Sequence, residues 1–89
     1  MNIYPIDHVS SHRTGILTAT TVEDISNVLG FQPNVDDDPD KVENSWAFQI
    51  GDDEFAIWDW KGSHYAGQFS TYGNHEVLAK LFPENYFGS

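Results

Sequence analysis

The chain has 89 residues, no cysteine, and a formal charge of −10 from 14 acidic and four basic residues. That is room for one domain, residues 1–89, with a single modest core, and it leaves no disulfide frame, thiolate metal site or cysteine nucleophile. The four bases, Arg13, Lys41, Lys61 and Lys80, are scattered, so no patch forms that could release the counterions of a nucleic-acid duplex or hold an anionic membrane.

No apolar run approaches the roughly 18–20 residues of a membrane span. The first residues lack the basic-then-apolar layout of a secretory leader. A soluble, cytoplasmic protein is the expectation.

Along the chain, the first segment, Met1 to Arg13, is irregular, with Ile3, Tyr4 and Ile6 around Pro5 and room for a short strand. Thr14 to Thr20 is rich in β-branched residues and is suited to pair as a strand. Thr20 followed by Glu23 has the spacing of a capping box. Val22, Ile25, Val28 and Leu29 then form an apolar stripe at helical spacing, and Gly30 stands where a left-handed cap belongs. The pattern predicts a helix over Val22 to Leu29. Phe31 to Asn44 reads as a polar connection, because Pro33, Pro39 and the repulsion among its acids oppose regular structure.

Ser45 to Trp60 reads as a β-hairpin turning at Gly51-Asp52-Asp53. In its second strand Phe55, Ile57 and Asp59 share one face, and Ala56, Trp58 and Trp60 the other. Both faces are partly apolar, so this strand is expected to be central. Tyr65 to Tyr72 is a third strand, with Gly67 placed for a bulge. Asn74 caps a second helix over His75 to Phe82, which Pro83 stops. Tyr86 and Phe87 either fold back onto the sheet or join a subunit contact, which would make a homodimer. The expected fold is α+β: a small antiparallel sheet of about three strands with two short helices packed on one face.

Nine of the 14 acids lie between Asp36 and Asp59. Asp36, Asp37, Asp38 and Asp40 form one group, and Asp52, Asp53 and Glu54 the hairpin tip. They are either solvated turns or an anionic surface that imitates nucleic acid and meets the basic surface of a protein. Asp36, Asp38 and Asp40 have the spacing of an EF-hand loop, but Lys41 replaces its glycine and Ala47 its bidentate glutamate, which argues against calcium. His8 and His12 are four apart in a segment with no helical stripe, and read as surface residues. No nucleophile elbow, phosphate loop or dinucleotide fingerprint is present, so no enzyme, metal or cofactor is expected.

Trp58-Asp59-Trp60-Lys61-Gly62 brings two indoles, a carboxylate and an ammonium together. If Ala56, Trp58 and Trp60 face the core, Asp59 faces solvent and the segment is a packed strand. If a tryptophan is exposed, Trp58, Trp60, Lys61 and Arg13 offer a stacking and anion-binding surface for a small ligand.

Leu29-Gly30-Phe31-Gln32-Pro33, Asp38, Lys41-Val42, Trp46 and Ala56-Ile57-Trp58-Asp59-Trp60-Lys61 resemble a family of short acidic proteins encoded by tailed phages. The similarity spans roughly Val22 to Lys61, with Ser70-Thr71-Tyr72-Gly73 as an extension, and here Gly30-Phe31 replaces the family's Phe-Gly. The resemblance implies a phage origin and a counter-defence factor working in the host cytoplasm. Such a factor would inhibit a nucleic-acid-handling defence protein of the CRISPR-effector kind. Alternatively it would be an oligomeric sponge for a cyclic-nucleotide or ADP-ribose signal, or a virion accessory.

Overall fold

The computed structural model of the protein describes residues 2–10, 12–36 and 42–88. Its elements are β1 (Tyr4–Pro5), β2 (Gly15–Leu17), α1 (Val22–Leu29), β3 (Ser45–Ile50), β4 (Asp53–Trp58), β5 (Phe69–Tyr72), α2 (His75–Leu81) and β6 (Tyr86–Gly88), with a 3₁₀ turn at Ser63–Ala66 before β5. The class is α+β. The sheet has six strands rather than about three, all antiparallel, in the order β1-β3-β4-β5-β2-β6. β2 falls within the strand expected over Thr14 to Thr20, β1 within the irregular Met1–Arg13 segment, and β6 is Tyr86 and Phe87 folded back onto the sheet; each is only two or three residues long. β1 is held by β3 and β2 by β5, while β6 pairs along β2 at the edge.

The β3–β4 hairpin closes with Ile50 opposite Asp53, so its loop is the two residues Gly51 and Asp52. Gly51 takes the positive φ of 61° that the first position of such a loop requires. As the pattern of its faces requires, β4 is central. Val22–Leu29 forms as the stripe predicts, ending on left-handed Gly30. Its cap is one residue later than expected: Thr21 accepts from the Asp24 N–H at 3.1 Å. Thr20 is instead buried, its N–H donating to the Gly67 carbonyl, so the Thr20–Glu23 box does not form. Gly67 ends the 3₁₀ turn in the left-handed region and makes no bulge. The Asn74 side chain accepts from the N–H groups of Glu76 and Val77, capping α2 as expected.

One face of the sheet, with Leu17, Trp46, Phe48, Phe55, Ile57 and Phe69, packs against Ile25 and Leu29 of α1 and against Leu78 and Phe82 at α2. Phe48 and Phe55 stack with centroids 5.2 Å apart, and the Trp46 indole donates to the Phe31 carbonyl. Each large side chain buried here contributes about 1.5–3 kcal/mol. Gly15 of β2 is required on this face: a Cβ there would lie 2.7 Å from the Tyr86 hydroxyl.

The chain leaves β1 beside β3 and returns as β2 beyond β5, so it crosses the second face of the sheet. There His12 lies edge-on against Tyr72, and Ala47 and Ala56 are buried. Asn34 closes the outer edge of β3, accepting from the Ala47 N–H and donating to the Ala47 and Ile6 carbonyls. Among the described residues no helix is long and apolar enough to cross a membrane.

Candidate functional site

Among the described acids, Asp36 lies apart from the hairpin tip. Asp36 follows Val35, whose N–H donates to the Ser45 carbonyl at the start of β3, whereas Asp52, Asp53 and Glu54 surround the turn at its far end. At about 3.4 Å per residue, the six-residue strand puts roughly 17–20 Å between its Ser45 end, next to which Asp36 lies, and the tip. Asp36, Asp52, Asp53 and Glu54 are exposed; Asp37, Asp38 and Asp40 lie outside the described residues.

The tip acids line a cleft of about 540 Å³ with Thr14, Tyr72, Gly73, Asn74 and His75. No lysine or arginine lines it. Among the described residues, ion pairs are confined to those of His64, so the tip charges are not neutralised locally.

The second predicted surface is partly assembled. Beyond β4 the chain turns sharply at Trp60–Ser63. The Ser63 hydroxyl accepts from the Trp60 N–H and donates to the Gln68 carbonyl, while the Ser63 N–H donates to the Trp60 carbonyl. Gly62 is left-handed, and so is Lys61, at φ 51°. For a residue with a Cβ that conformation costs about 1–2 kcal/mol. The turn leaves Trp60 47% exposed, with the Lys61 ammonium 5.8 Å from the centre of its ring.

Arg13, Trp60, Ser63, Gln68 and Ser70 line a cleft of about 200 Å³ with Ile16 and Phe69. Trp58, half-buried, pairs with Ser70 across the sheet on the side away from the core. Thus Arg13 and Trp60 meet in one cleft, Lys61 stands beside them and Trp58 lies on the adjoining face. The volume is below the roughly 300–1,000 Å³ of an organic-ligand pocket. A cleft of that size suits a small group rather than a whole dinucleotide.

Asp59 overturns the reading in which Trp60 packs inward and the aspartate faces solvent. It is fully buried, continuing the face of Phe55 and Ile57. Oδ1 accepts from the backbone N–H groups of Glu43 and Asn44 at 2.8 and 3.1 Å, and Oδ2 from the Asn44 side-chain amide at 3.0 Å. His64, on the 3₁₀ turn, brings Nδ1 to 2.6 Å from Asp59 Oδ2 and Nε2 to 3.6 Å from Glu43 Oε2.

The residues Glu43, Asn44 and His64 carry no motif spacing, and their convergence comes from the fold. One signal was available, since Asp59 alternates in register with two core residues. His8 and His12 are exposed, as expected. No family model, no curated protein and no solved structure matches the chain.

Proposed function

We propose that the protein is a non-catalytic binding domain that presents an acidic surface to the basic surface of a protein partner. The observation that carries this reading is the hairpin tip: Asp52, Asp53 and Glu54 are exposed around a two-residue turn, with no counter-ion among the described residues. A two-stranded tip at the end of a central hairpin loses little conformational entropy when it docks. Its charge accelerates encounter with a cationic groove and disfavours acidic partners. Together with the resemblance to short phage proteins, this points to a cytoplasmic inhibitor that occupies the nucleic-acid channel of a host defence protein. Asp36, Asp37, Asp38 and Asp40 would serve as a second, separate contact.

The test is affinity capture from host lysate with the wild-type chain and with an Asp52→Asn/Asp53→Asn/Glu54→Gln variant. We expect the wild type to retain a nucleic-acid-binding protein at low salt and to release it at high salt. We also expect the purified partner to lose its nucleic acid when the chain is added. Capture that is unchanged by the triple substitution would contradict the acidic-tip mechanism.

A second reading is supported by the cleft that joins Arg13 to Trp60 beside Lys61: sequestration of a small anionic ligand with a planar ring, such as a nucleotide signal. The size of the cleft ties this reading to an oligomer. Light scattering that gives a monomer, with cyclic nucleotides and ADP-ribose left free in solution, would exclude it.

A further inference from the structure

We infer that Glu43, Asp59 and His64 form a binding site for a divalent transition-metal ion of the zinc type. The three side chains come from the connection before β3, the end of β4 and the 3₁₀ turn. Each contributes one ligand atom, and these atoms all lie within 4.8 Å of one another.

The arrangement is poor as a simple histidine–carboxylate pair. His64 Nδ1 is buried and has no aligned hydrogen-bond partner, although Asp59 Oδ2 is only 2.6 Å away. An N–H at that atom does not point along the contact. A deprotonated nitrogen there would have no proton to offer the anionic oxygen against it. A cation held by both satisfies both atoms: with ligand bonds of about 2.0–2.1 Å at a tetrahedral angle, the nitrogen and oxygen need to separate only to about 3.3 Å.

Charge and chemistry agree with this. Asp59 is fully buried, and no lysine or arginine pairs with it among the described residues. Burying an unpaired carboxylate is costly. Three donated hydrogen bonds offset part of that cost and fix the carboxylate, as outer-shell donors do around metal ligands. Two carboxylates balance a divalent ion. Glu43, at 55% side-chain exposure, closes the site from the solvent side and gives an entry path. The imidazole selects zinc over calcium or magnesium, which prefer all-oxygen shells. Three protein ligands leave a fourth position for water. Bound metal would tie the connection before β3 to β4 and the 3₁₀ turn.

The test is calorimetric titration of chelator-treated protein with zinc chloride, repeated with calcium chloride. The wild type should take up one zinc per chain, with a higher thermal midpoint on loading, and should not take up calcium at the same site. His64→Gln and Glu43→Gln should each weaken zinc binding at least about tenfold while keeping the wild-type circular dichroism. Asp52→Asn/Asp53→Asn should bind zinc as the wild type does. Absence of zinc uptake by the wild type would overturn the assignment. So would zinc uptake that survives both ligand substitutions, or calcium binding of equal strength lost in the same variants.

Discussion

Asp59 shows how one side chain can hold three stretches of chain together. Its carboxylate takes the N–H groups of Glu43 and Asn44 and the Asn44 amide, and the His64 ring rests against it. Replacing it with alanine takes the acceptor from three part-buried donors and leaves a cavity where the carboxylate sat. Asp59→Ala is therefore expected to cost about 3 kcal/mol or more in urea denaturation, whereas Asp36→Ala, at an exposed site, should leave the midpoint unchanged.

Tyr86 gives a second prediction at this scale. Burial pushes its hydroxyl above the ordinary 10.0, and the Thr71 hydroxyl partly offsets that rise. The folded state then holds this proton more tightly than the unfolded state. Stability is unaffected well below pH 10.0 and falls as pH rises through that value towards the folded pKa. Tyr86→Phe should flatten that alkaline loss in denaturation measured across this range.

At the scale of elements, the Trp60–Ser63 turn sets stability against presentation. Lys61 occupies a left-handed conformation that glycine adopts freely. Lys61→Gly should stabilise the fold by about 1 kcal/mol in chemical denaturation. It should also remove any anion binding at the Arg13–Trp60 cleft. A destabilised Lys61→Gly variant would mean that the ammonium, and not the backbone, governs this turn.

The longer elements were legible from the sequence. The stripe through Ile25 and Leu29 and the cap at Gly30 suffice to mark α1. Asn74 announced α2, and the alternation around Gly51 announced the hairpin. The cap at Thr21 was hidden because two threonines stand in sequence, and what sets Thr20 apart is its long-range contact with the Gly67 carbonyl. The short strands β1 and β6 depend on partners 40 or more positions away in the register, Tyr4 with Gln49 and Leu17 with Tyr86, and no local pattern carries that information. The His64–Asp59 approach was hidden for the same reason, although the burial of Asp59 was foreshadowed by its alternation with Phe55 and Ile57.

For the molecule as a whole, the distribution of charge matters more than its sum. Asp36 lies near the start of β3 and the tip acids at its far end, so a partner that engages both must present cations roughly 17–20 Å apart. Neutralising Asp52, Asp53 and Glu54 should remove one contact and leave the other. Neutralising Asp36, Asp37, Asp38 and Asp40 should do the converse. The combined variant should lose both, with nearly additive effects on the logarithm of the association rate if the two contacts act independently.

The most direct measurement is the association rate of the captured partner across a series of ionic strengths, for the wild type and for Asp52→Asn/Asp53→Asn/Glu54→Gln. We expect a wild-type rate that falls steeply with salt. The variant should associate about tenfold or more slowly at low salt and show a flatter slope, with the two rates converging at high salt. Equal rates and equal slopes for the two proteins would contradict a function carried by the acidic tip.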